Sequence, residues 1–103
     1  MAPGDQPRLE IPEQVIAGIC ARYHVRELAL FGSAVKGHLR PDSDIDLLVV
    51  FEADARVGLI TLARLQRELA TAFGRKVDLV PKDGLKAALR AEVLAGARTL
   101  YAA

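Results

Sequence analysis

Asp44 and Asp46 stand two residues apart at the head of an apolar run, inside FGSAVKGHLRPDSDIDLLVV, residues 31–50. Residues two apart on a strand share one face. The carboxylates of such a pair would lie about 5 Å apart and repel by roughly 3 kcal/mol at an effective dielectric near 20. A purely structural domain has no use for that repulsion beside its core. Asp78 adds a third acid, because it interrupts the apolar KVDLV of residues 76–80. If the strand of Asp78 lies beside that of Asp46, three carboxylates converge. Such a cluster needs protons or divalent cations. Oxygen ligands without neighbouring His or Cys select Mg²⁺ or Mn²⁺ over Zn²⁺. Two such ions clamping a phosphoryl oxygen is a known solution to in-line displacement. An isolated Asp-x-Asp at a strand start is more often a turn cap, so the reading depends on what accompanies it.

What accompanies it is Gly32-Ser33, with ten residues between that pair and Asp44. A strand that ends in Gly-Ser and opens a helical turn exposes backbone N–H groups, which makes an anion site. Gly32 lets a phosphate approach the backbone closely. Ser33 offers a hydroxyl, and Lys36 places a point charge one turn later. A plain turn with a capping serine would use the same Gly-Ser pair. His38 and Arg40 read as exposed loop residues, and His24 as structural or exposed. Two histidines and one cysteine give zinc or Cys–His chemistry little to stand on.

The elements that must hold these residues follow from periodicity. Ile11, Val15, Ile16 and Ile19 recur at helical spacing, which predicts a helix from Pro12 to about Tyr23. ELALF, residues 27–31, reads as a strand broken by Gly32-Ser33. DIDLLVVF, residues 44–51, reads as a central strand. Leu59, Leu62, Leu65, Leu69 and Phe73 mark a second helix, closed by Gly74 as C-cap. KVDLV is a third strand, stopped by Pro81. Leu85, Leu89, Val93 and Leu100 predict a last helix, with Asp83 as its N-cap. Lys86, Arg90 and Arg98 form its solvated face. The expected fold class is α/β (α+β), a small mixed three-stranded sheet packed with helices in the order α-β-α-β-α-β-α. Residues 1–10 read as a flexible N-terminus and 11–103 as a single domain.

Composition narrows the class further. The 103 residues are 51% hydrophobic and 26% charged, ordinary for a globular domain with one core. A net charge of +1 supplies no global field for nucleic acid, so phosphate chemistry must be local and direct nucleic-acid binding is not expected. Cys20 is the only cysteine and reads as a small buried apolar residue. MAPGDQPRLEIP has no apolar export core, and the longest apolar run, Leu47 to Phe51, is too short for a bilayer. A cytoplasmic location without a membrane span is expected.

FGS, SDIDLLV and the downstream KVDLV together resemble the nucleotidyltransferase fold of the DNA polymerase β superfamily. Gly32, Ser33, Asp44, Asp46 and Asp78 match its pattern of Gly-Ser, spacer, Asp-x-Asp and third carboxylate. The sequence is most similar to the minimal nucleotidyltransferases over nearly its whole length. One departure stands at AVKG, where Val35 and Lys36 replace the family's usual alanine and arginine. Lysine keeps the charge and loses the bidentate fork.

The resemblance implies Mg-ATP as donor and a HEPN-domain toxin as partner, with this chain as antitoxin in a toxin–antitoxin pair. It implies transfer of AMP to a toxin hydroxyl, tyrosine first, with Asp44, Asp46 and Asp78 as catalytic metal ligands on two ions. Gly32, Ser33 and Lys36 would then bind the nucleotide. Three strands and their helices exhaust the chain, so the acceptor is expected on a partner or second copy, in a homo- or hetero-oligomer. Two alternatives stay open: a non-catalytic antitoxin that neutralises its partner by occlusion, and a nucleotidyltransferase acting on a small molecule such as an aminoglycoside.

Overall fold

A computed structural model describes residues 11–32, 44–85 and 93–103, and among these four strands and two long helices build the frame. The first helix, α1, is Glu13–Arg22 and buries Ile16, Ile19 and Cys20. Val15 falls outside that stripe and stays 53% exposed, so it is not a core residue as its spacing predicted. His24, in the left-handed region at φ 58°, turns the chain from α1 into the strand β1, Val25–Phe31. The strand β2 is Ile45–Phe51.

The helix α2, Leu59–Phe73, buries Leu65, Leu69 and Phe73 at the predicted spacing. Its first turn does not follow: Leu59 and Ile60 are exposed. Gly74 closes α2 at φ 65°, the conformation that a C-cap glycine adopts without a Cβ penalty. The strand β3 is Val77–Pro81, and a 3₁₀ turn, Lys82–Gly84, follows it. Asp83 sits inside that turn, and most of the helix it is expected to cap lies outside the described residues.

The largest correction concerns the C-terminus. Residues 93–96 are helical, but Arg98–Ala102 form a fourth strand, β4, that pairs antiparallel with β1. Leu100 therefore belongs to a strand, and the sheet has four strands rather than three, in the order β3-β2-β1-β4. RTLYA carries the β-favouring residues Thr and Tyr, and the open edge of β1 decides its state. The mixed character holds: β1 and β2 are antiparallel, β2 and β3 parallel. The helix expected after Gly-Ser, most of the predicted last helix and the N-terminal ten residues lie outside the described residues.

The core lies between one sheet face and the two helices. Leu28 and Leu30 of β1, Ile45, Leu47 and Val49 of β2, and Val77 and Leu79 of β3 pack there against Ile16, Ile19, Leu65, Leu69 and Phe73. Burying one such side chain fully contributes about 1.5–3 kcal/mol. Cys20 is fully buried, and burial pushes its thiol up to about 11. Arg22 of α1 donates to Glu68 of α2 at 2.7 Å, and Tyr23 is hydrogen-bonded to the same carboxylate. Among the described residues no helix is long and apolar enough to cross a membrane.

Candidate active site

Alternation along the strands sorts the acids from the core. Ile45, Leu47, Val77 and Leu79 face the helices. Asp46 and Asp78, one residue out of phase with them, point to the opposite face. The parallel register makes Asp46 and Asp78 Cα partners, each the second residue of its strand. Asp44 is exposed just before β2 begins. The Ile45 N–H donates to the Lys76 carbonyl at 2.9 Å, which extends the pairing one residue beyond β3. All three acids thus stand at one end of two adjacent strands.

Gly32 comes to the same end from β1. Phe31, the last residue of β1, is the Cα partner of Asp46. The next residue, Gly32, has φ 78° and lies directly against the Asp46 side chain. A Cβ built on Gly32 would stand 2.5 Å from Asp46 Oδ2. Real Cβ atoms do not approach an oxygen so closely. The left-handed backbone conformation therefore favours glycine here, and any side chain would also make the Asp46 carboxylate shift.

The electrostatics carry the signature of a crowded anionic site. Asp46 is held above its ordinary 3.8, first by partial burial, then by the charge of Asp78 and then by that of Asp44. A divalent cation would relieve that repulsion, and the donor set of carboxylate oxygens alone suits a hard ion. Among the described residues, no three His, Cys, Asp or Glu side chains are gathered into a finished ligand set. Asp44 and Asp78 are exposed at the strand ends, where their side chains are free of core packing. The residues present fit Mg²⁺ or Mn²⁺ on these grounds.

Of the residues singled out in the sequence, Gly32, Asp44, Asp46 and Asp78 are brought to one end of the sheet. Ser33 and Lys36 lie outside the described residues, as do Val35, His38 and Arg40. A groove of about 430 Å³ between α1 and α2, lined in part by Val15, Gly18, Arg67 and Ala72, is on the helical side. It holds no paired acids, and chemistry rather than volume locates the site.

One supporting residue escaped the sequence reading. Gln66 of α2 accepts a hydrogen bond from the Leu79 N–H through Oε1, at 3.1 Å. This ties the outer edge of β3 down beside Asp78. Its only sequence signal is a polar residue next to buried Leu65, which does not reveal a strand edge as its partner.

The sequence matches the nucleotidyltransferase domain family over residues 13–101. The protein adenylyltransferase MntA of Thermococcus cleftensis is 41% identical over 73 residues, covering 71% of this chain and 72% of that protein. A crystal structure of a toxin–antitoxin with AMP-PNP superposes with a TM-score of 0.74 at 27% identity, over 90% of this chain and 75% of the other. A crystal structure of the toxin–antitoxin MntA-HepT gives a TM-score of 0.64 at 26% identity, over 88% and 70%.

Proposed function

The chain belongs to the nucleotidyltransferase domain family, and we propose from that premise that it is a protein adenylyltransferase acting as antitoxin to a HEPN-domain toxin. It moves AMP from ATP to a hydroxyl of that partner, with tyrosine as the expected acceptor. The likeness to MntA and to a toxin–antitoxin structure holding AMP-PNP supports the donor and the partner class. Residues 11–103 act as one nucleotidyltransferase domain, and the working unit is a hetero-oligomer with the toxin.

The observation that carries this reading is the convergence of Gly32, Asp46 and Asp78. The register pairs the two acids, and the Gly32 backbone lies directly against one of them. A glycine turn that offers N–H groups next to a pair of repelling carboxylates is a site for a phosphate carrying metal ions.

The roles of Gly32, Asp44, Asp46 and Asp78 are supported by their place at one end of the sheet, and those of Ser33 and Lys36 rest on the sequence motif. Gly32 and Ser33 hold the triphosphate through backbone N–H groups and the serine hydroxyl, and Lys36 adds a point charge. Asp44, Asp46 and Asp78 would hold the divalent cations, two Mg²⁺ or Mn²⁺ ions. When bound, these supply Lewis-acid polarisation of the α-phosphate and neutralise the leaving pyrophosphate. Asp78, exposed on the far strand from Gly32, takes the proton of the acceptor hydroxyl. The chain's own contribution is positioning and charge placement.

The test is the intact mass of the HEPN partner after incubation with this protein, ATP and Mg²⁺, beside a control carrying Asp44→Ala and Asp46→Ala. Mass steps of one or more AMP units, absent in the control, are expected. A stable complex with no mass step would overturn transfer in favour of occlusion.

A further inference from the structure

Lys76 occupies the acid face of the sheet at a place no role has yet absorbed. Its carbonyl accepts from the Ile45 N–H, so Lys76 extends β3 and stands level with Asp44 of the neighbouring strand. Val77 is 3% exposed and faces the core. Lys76 and Asp78, on either side of it, are both exposed and share the opposite face. Among the described residues Lys76 makes no ion pair. A cation without an ion pair among the described residues therefore stands level with Asp44, on the face that carries Asp46 and Asp78.

Strand order says which part of the reaction it meets. Gly32 ends β1, Asp46 lies on β2, and Lys76 and Asp78 lie on β3. Neighbouring strands are about 4.8 Å apart, so β1 and β3 stand roughly 10 Å apart across the site. In-line displacement places the attacking and leaving oxygens on opposite sides of phosphorus. With the triphosphate on the Gly32 side, the attacking oxygen comes from the β3 side.

We propose that Lys76 is an acceptor-side catalytic residue, whose ammonium donates a hydrogen bond to the attacking oxygen as that oxygen gives up its proton. The inference rests on the adenylyltransferase reading above. The acceptor O–H bond breaks and its proton passes to Asp78. The oxygen bonds to the α-phosphorus, and the bond to the bridging oxygen of pyrophosphate breaks. Lys76 keeps its own protons throughout and stabilises the developing oxyanion.

The test compares wild type, Lys76→Met and Lys76→Arg in AMP transfer to the HEPN partner. Lys76→Met is expected to lower kcat by about 10²-fold, in the range for loss of one oxyanion donor. Its KM for ATP and its affinity for AMP-PNP should stay within about twofold of wild type, since binding on the Gly32 side is untouched. Lys76→Arg should restore most of the rate. A partner carrying 3,5-difluorotyrosine at the acceptor needs less help to ionise, so the Lys76→Met deficit should shrink. An unchanged rate in Lys76→Met, a loss confined to ATP affinity, or a deficit indifferent to fluorination would overturn the inference alone. Absence of transfer by wild type would overturn the adenylyltransferase reading, and the inference with it.

Discussion

Gly32 and Asp46 touch: the position a Cβ would take on Gly32 is 2.5 Å from Asp46 Oδ2, and Gly32 has φ 78°. The glycine that follows β1 and the second acid of Asp-x-Asp are thus one packing unit. Gly32→Ala should abolish AMP transfer. It should also cost about 1–2 kcal/mol from the left-handed backbone alone, plus displacement of the carboxylate. The displacement is separable. Urea unfolding of Gly32→Ala in the wild-type and Asp46→Ala backgrounds should give a smaller penalty in the second. Equal penalties would mean that the two residues do not press on each other.

Asp46 links the site to stability through pH. Its folded pKa is raised above 3.8 by burial and by Asp78 and Asp44. The folded state therefore holds the Asp46 proton more tightly than the unfolded state. Its contribution to stability falls as pH rises from 3.8 through the raised value, and at neutral pH the charged carboxylate is a burden. Asp46→Asn should melt at a higher temperature than wild type at pH 7 without metal, while losing transfer. Saturating Mg²⁺ should raise the midpoint of wild type and leave the variant nearly unchanged. A variant that melts lower than wild type at pH 7 would contradict the repulsion.

Gln66 gives a test of how Asp78 is held. Gln66→Met removes the acceptor for the Leu79 N–H with little change in volume and should cost about 1 kcal/mol. Hydrogen exchange at the Leu79 amide should quicken. Gln66→Glu keeps an acceptor oxygen and should preserve protection. If Leu79 exchanges equally in all three proteins, the side chain does not secure the strand edge.

Cys20 should be inert while the protein is folded. It is fully buried, with its thiol pushed up to about 11. Thiolate, not thiol, reacts. At pH 8, a thiol reagent such as 5,5′-dithiobis(2-nitrobenzoate) should label Cys20 only at the rate of unfolding, and stoichiometrically in denaturant. Fast labelling of the native protein would show that the space between α1 and the sheet is open.

The division between sequence and tertiary structure falls along local and non-local physics. Helix α2 was legible because Leu65, Leu69 and Phe73 repeat at 3.6 and Gly74 ends them in its own preferred conformation. The three strands around the site were legible from apolar runs and their breakers. The shared face of the acids was legible because spacing along one strand settles which face a side chain takes.

What the chain does at a distance was not. Val93 and Leu100 fit a helix, yet residues 98–102 pair with β1 because its edge offers a ladder of hydrogen bonds that local propensity cannot see. Val15 has the spacing of a core residue and stays exposed, because which side of α1 meets α2 is settled by packing. Alternation puts Asp78 on the acid face. Only the parallel register sets it opposite Asp46, rather than one or two residues along. The contact of Gly32 with Asp46, the clasp of Gln66 on β3 and the place of Lys76 beside the acids depend on strand order as well. Sequence by itself determined the chemistry on offer, since that resides in side chains and short periods. The fold decided which side chains meet, since register and strand order are chosen by burial summed over the whole sheet.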